Sequence, residues 1–139
     1  MEFARRGDRV FATMRDTAKA GELTGTRDAE KLPIEVLQLD VTDQTSVDTA
    51  VGKALAQGPI DVLVNNAGYE LRGAIEETED DEVRQQFETN VLGLVRVTRA
   101  VVPSMRARGS GTIVNLSSIG GLVSVPFEAF YTASKHAVE

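Results

Sequence analysis

Four short apolar runs, spaced along the chain by helix-like stretches, constrain its fold more than any other feature. They are Arg9–Met14 (RVFATM), Ile34–Leu39 (IEVLQL), Ile60–Val64 (IDVLV) and Thr112–Leu116 (TIVNL). Short runs rich in β-branched residues read as strands buried on both faces. Val41–Ala56 reads as a helix, opened by the caps Thr42 and Asp43 and closed by Gly58-Pro59. A longer amphipathic helix is expected from Asp80 to Arg108, with Thr78 and Asp81 as a capping-box variant. Val83, Phe87, Val91, Leu94, Val95, Thr98 and Val102 supply its apolar face, and Pro103 is expected to bend it. Met1–Arg6, closed by Gly7, and Thr17–Leu23 read as shorter helical pieces. Strand and helix in alternation predict an α/β fold: one parallel sheet covered on both faces, in a single domain spanning 1–139.

Ligands in such folds bind beyond the carboxyl ends of the strands. Here those ends read Met14-Arg15, Asp40-Val41, Asn65-Asn66-Ala67-Gly68 and Ser117-Ser118. Polar or small residues therefore collect along one rim of the sheet. Ser118 is followed thirteen residues later by Tyr131, and Lys135 comes one helical turn after that. A phenol is a weak acid at neutral pH, titrating near roughly 10. An ammonium on the same helix face favours its ionised form. A serine at a strand end, facing a tyrosine and a lysine, is thus suited to proton transfer at a substrate oxygen.

Composition removes several classes. The 139 residues contain no cysteine and a single histidine, His136. Disulfides and thiolate metal sites are excluded, a His-based metal site is disfavoured, and a reducing, cytoplasmic setting fits. A net charge of −6 argues against a nucleic-acid partner. No apolar run reaches membrane-span length, so no membrane partner is expected.

DVTD (Asp40–Asp43), NNAG (Asn65–Gly68), TNVLG around Asn90, IVNLSS ending at Ser118 and YTASK (Tyr131–Lys135) occur in this order. In motif, order and spacing the chain resembles the classical short-chain dehydrogenase/reductase family. VFATMRD and PFEAFYTASKHAVE are similar to its 17β-hydroxysteroid and retinol dehydrogenase branch. The resemblance implies a partial Rossmann-type doubly wound parallel sheet and an NAD(P)-dependent oxidoreductase interconverting an alcohol and a carbonyl. It assigns Tyr131 to proton transfer, Ser118 to hydrogen bonding of the substrate oxygen, and Lys135 to the nicotinamide ribose and the phenol. Asn90 would anchor a water joining Lys135 to solvent. Asp40 and Val41 would face the adenine; Asn65, Asn66, Ala67 and Gly68 would line the cofactor or brace the sheet. Arg15, at the exit of the first run, points to NADP with NAD as the alternative, since a guanidinium can bind a 2′-phosphate. Full-length relatives would be homodimers or homotetramers.

The family's glycine-rich turn has no counterpart in this sequence. The expectation is therefore an incomplete domain lacking the first strand and that turn, a fragment of a roughly 250-residue enzyme by family length. The alternative reading follows from it: a truncated, non-catalytic piece that neither binds cofactor nor turns over alone. A flavodoxin-like module shares the alternation but gives no reason for the Tyr131–Lys135 pair.

Overall fold

A computed structural model describes residues 1–139. The strands are β1 (Val10–Met14), β2 (Ile34–Gln38), β3 (Val62–Asn65) and β4 (Thr112–Asn115). The helices are α1 (Glu2–Arg5), α2 (Gly21–Glu30), α3 (Gln44–Leu55), α4 (Asp80–Phe87), α5 (Leu94–Arg108) and α6 (Ala129–His136). All four expected strands are present, and both pairings are parallel.

The strands do not form one sheet. β1 pairs only with β2, from Val10 opposite Ile34 to Met14 opposite Gln38. β3 pairs only with β4, from Val62 opposite Thr112 to Asn65 opposite Asn115. Between the two ribbons runs a cleft of about 650 Å³, lined mainly by apolar side chains that include Val10, Phe11, Val62, Val64, Leu94 and Val97. One edge of β1 and one of β3 therefore keep their backbone groups unpaired. The side chains of β3 and β4 are largely bare, Val62 reaching 48% exposure.

The core lies beneath this cleft, and several of its members line it. Leu39, Val47, Ala50, Val51, Val97, Val101 and Met105 form one buried cluster, which packs α3 against α5. α3 is capped by Asp43 alone, whose carboxylate accepts from the Thr45 N–H at 2.9 Å. Thr42 turns back to Asp40 instead. No helix is long and apolar enough to cross a membrane.

Three expectations about the helices need correction. The piece placed at Thr17–Leu23 is a 3₁₀ turn, Thr17–Ala20, leading into α2, which continues to Glu30. α2 buries no residue, so it carries no apolar periodicity to read. The capping box of α4 is Glu79 with Glu82, whose carboxylate accepts from the Glu79 N–H at 3.0 Å. Thr78 cannot serve, because its hydroxyl donates to the Ala74 carbonyl at 2.9 Å. The long helix is also not uniform. Pro103 lies inside α5, which runs on to Arg108; the change of helix geometry comes earlier, as a π segment over Glu88–Gly93. The stripe Val83 to Val102 is only half-buried. The buried line is Gln86, Asn90, Gly93, Val97, Val101 and Met105. Its first two members are amides, because there the helix faces loop backbone rather than core.

Candidate active site

Ser118 lies three residues past the end of β4 and caps a 3₁₀ turn, Ile119–Gly121. Its Oγ accepts from the Gly120 N–H at 3.2 Å. That bond uses an oxygen lone pair and leaves the hydroxyl hydrogen to donate outward. A Cβ on Gly120 would stand 3.3 Å from Tyr131 Cε1 and 3.7 Å from Ser118 Oγ. The bare backbone of Gly120 is what lets the serine and the tyrosine ring come together.

α6 carries Tyr131 and Lys135 one turn apart, as their spacing predicts. Its approach is fixed by a strained turn. Phe127 adopts φ +64°, costly for a bulky residue. Its carbonyl accepts from the Gly73 N–H at 2.9 Å, and the adjoining Glu128 accepts from Arg72 at 2.8 Å. Lys135 Nζ donates to the Leu116 carbonyl at 2.9 Å and lies 5.8 Å from the Tyr131 ring centroid. Lys135 is 7% exposed, and this burial lowers its pKa from the usual lysine value. Two ammonium protons remain for other partners.

Asn90 sits in the π segment, a helix variant found often at functional sites. Its Oδ1 accepts from the Tyr69 N–H at 3.0 Å, and its Nδ2 donates to the Tyr69 carbonyl at 2.9 Å and to Ser134 Oγ at 3.0 Å. A Cβ on Gly68 would lie 3.1 Å from Asn90 Oδ1 and 3.6 Å from Lys135 Nζ. Gly68 thus threads between the amide and the ammonium. Around the exits of β3 and β4, Gly120 stands close to both Ser118 and Tyr131, and Gly68 close to both Asn90 and Lys135.

The remaining predicted residues lie along the same rim. Ala67 and Asn66 line the mouth of the cleft, as does Val41. Asn65 is structural: its amide donates to Thr98 Oγ1 at 3.0 Å and to Asn115 Oδ1 at 2.9 Å, tying β3, β4 and α5. Asp40 Oδ1 accepts from the Thr42 N–H at 2.9 Å and the Thr42 hydroxyl at 2.7 Å. These bonds hold its carboxyl below the usual carboxylate range, burial opposing and the Arg15 charge assisting. Arg15 is exposed at the end of β1. Its neighbour Asp16 is also exposed, with one carboxylate oxygen accepting from the Ala18 N–H at 3.1 Å.

Sequence reasoning missed Gly93 and Arg96. A Cβ on Gly93 would fall 2.6 Å from Val41 Cγ2, and Arg96 donates to the Val41 carbonyl at 3.3 Å. Glycine inside a helical run was the available signal.

The family model described as short chain dehydrogenase matches residues 1–139. The chain belongs to the short-chain dehydrogenase family. An uncharacterized oxidoreductase of Bacillus subtilis is 45% identical over 133 residues, which cover 94% of this chain and 47% of that protein. Human 17-beta-hydroxysteroid dehydrogenase type 1 is 42% identical over 134 residues, covering 94% of this chain and 40% of that protein. The crystal structure of the F189W actinorhodin polyketide ketoreductase with NADPH superposes with a TM-score of 0.93 at 34% identity, covering 98% of this chain and 53% of that one. The partial α/β fold and the steroid-dehydrogenase resemblance are thus borne out. This short-chain dehydrogenase spans about half the length of the curated relatives it matches.

The residues present fit a nicotinamide dinucleotide. A β-carbon at Gly68 would crowd the Asn90 amide, so bare backbone lies beside the ammonium of Lys135, a donor suited to a ribose hydroxyl. Arg15 offers an exposed cation at the exit of β1.

Asp40 yields a pH test. Its folded pKa is depressed, so its contribution to stability is present above the usual aspartate value of 3.8 and is lost as pH falls through the folded value. Asp40→Asn should lower the urea midpoint of the full-length enzyme at about pH 7 and make less difference at about pH 3. Equal differences at both would show that the charge of Asp40 contributes nothing.

Proposed function

We propose that the full-length protein is an NADP-dependent oxidoreductase that interconverts an alcohol and a carbonyl, with Tyr131 as the proton donor and acceptor. The observation that carries this reading is the convergence of Ser118, Tyr131, Lys135 and Asn90 around Gly120 and Gly68. A bound nicotinamide supplies or takes up the hydride. The chain's own residues handle the oxygen.

Ser118, its lone pair engaged by Gly120, donates to the carbonyl oxygen and polarises it. Tyr131 passes its phenolic proton to that oxygen in reduction and recovers it in oxidation. The Lys135 ammonium, 5.8 Å from the ring centroid, favours the negative charge left on the phenol. Its free protons suit a ribose hydroxyl. Asn90 fixes the loop around Gly68 and so the distance between the ammonium and the cofactor rim. Val41, held by Gly93 and Arg96, would form a wall for an adenine ring. NADPH consumption against a panel of uncharged ketones and aldehydes tests the activity.

The cofactor preference rests on Arg15, the exposed cation at the exit of β1. Arg15→Ala should reduce the NADP-to-NAD ratio of kcat/KM by about tenfold to a hundredfold, as loss of a charge-assisted phosphate contact would. An unchanged ratio would sink this assignment.

A second reading concerns the 139 residues alone. The division into two ribbons leaves the rim without a continuous sheet beneath it. On that ground the isolated chain is a short-chain dehydrogenase fragment that neither binds the cofactor tightly nor turns over.

A further inference from the structure

Gln86 has no role in the chemistry above, yet it is 0% exposed and the largest of the fully buried side chains. It stands on α4 one turn before Asn90, so the two amides face the same way. Its Oε1 accepts from the Leu71 N–H at 2.8 Å, and its Nε2 donates to the Tyr69 carbonyl at 2.7 Å. Asn90 takes both backbone groups of Tyr69. The Tyr69 carbonyl thereby receives two amide donors, one for each lone pair. Two side chains on a helix pair the loop leaving β3 much as a neighbouring strand would.

This ladder fixes more than the loop. An asparagine amide can turn over, and its orientation is set by what it meets. Here Asn90 presents Oδ1 toward Gly68 because the Tyr69 N–H is held where only an acceptor fits. Tyr69 is held, in turn, by Gln86. A buried network of this kind is disrupted when one member is removed, since the remaining donors and acceptors cannot reach water.

We propose that Gln86 is a positioning residue: by pairing with Tyr69 and Leu71 it sets the orientation of the Asn90 amide beside Gly68 and Lys135. The inference rests on the reaction assigned above to Ser118, Tyr131 and Lys135. Gln86→Met in the full-length enzyme keeps length and apolar volume while removing both hydrogen bonds. It should lower kcat about tenfold to a hundredfold. In an Asn90→Ala background the same change should cost less than about twofold, because a residue acting through Asn90 has nothing left to position. Gln86→Glu keeps the acceptor for the Leu71 N–H but sets its second carboxyl oxygen against the Tyr69 carbonyl. It should therefore recover part of the loss only at the acid end of the pH profile, where that carboxyl is protonated and can donate. If the Met variant fails to fold, Gln86→Leu carries the same cycle. Faster amide hydrogen exchange at Leu71 in the variants reports loss of the ladder independently of turnover. Equal losses with and without Asn90, or wild-type kcat despite fast exchange at Leu71, would overturn the proposal. Wild-type turnover in Tyr131→Phe would overturn the reaction reading itself, which separates the two failures.

Discussion

Tyr131→Phe is expected to lower kcat of the full-length enzyme about 10²- to 10⁴-fold, the range of a lost general acid, while leaving the NADPH dissociation constant within about twofold. The separation follows from geometry. The ring rests against Gly120, and phenylalanine keeps that contact. Lys135, the residue suited to a ribose, keeps its bond to the Leu116 carbonyl. Only the transferable proton is removed. Lys135→Ala should behave differently, damaging cofactor binding and turnover together, because one ammonium serves both. Steady-state kinetics with fluorescence titration of NADPH distinguish the two patterns. A Tyr131→Phe variant that keeps most of its rate would assign the proton to another group.

The second large effect concerns the isolated 139-residue chain. It should melt broadly, and its midpoint should not move on adding NADP(H). β1 and β3 each expose a backbone edge to one apolar cleft, and β3 and β4 carry exposed valines, Val62 and Val64 among them. Unpaired edges of this kind are also templates for aggregation. A working site at a hundredfold excess of cofactor over its Kd would add about 2.7 kcal/mol. That would raise the midpoint of a chain this size on the order of 10 °C. Circular dichroism melts with and without cofactor decide the matter: a sharp transition that climbs with NADP(H) would show the chain to be a working domain.

The candidate site residues are legible in the sequence because their signals are local. Tyr131 and Lys135 need only the helical repeat, and Ser118 needs only the end of an apolar run. Asn90 and Gly68 came from motifs whose spacing survives any reading of helix detail. Gln86 was not legible, because a glutamine on an amphipathic helix reads as solvated, and its partners are backbone groups of a loop fifteen and seventeen residues away. The capping box was misplaced by one residue because nothing in the sequence shows that Thr78 spends its hydroxyl on Ala74. The split sheet is a different case. The strands are legible one by one, and with the family's first strand absent β1 and β3 lose their common neighbour. The sheet then either splits or those two close up; the split is what the structure shows.

The π segment gives the long helix a fixed length. Each residue in an α-helix turns the chain by about 100°, and a π turn spends one residue more than an α turn. On one side of Glu88–Gly93, Val97, Val101 and Met105 are locked into the core; on the other, Gln86 is locked onto Tyr69 and Leu71. Deleting one residue between them would let an α-helix run through with both anchors close to their present phase, at the cost of the widened turn that carries Asn90. A further inserted residue, with no second widened turn to absorb it, would swing one anchor about a quarter turn from its partners. The widened turn therefore works as a phase adjuster between two surfaces of different chemistry.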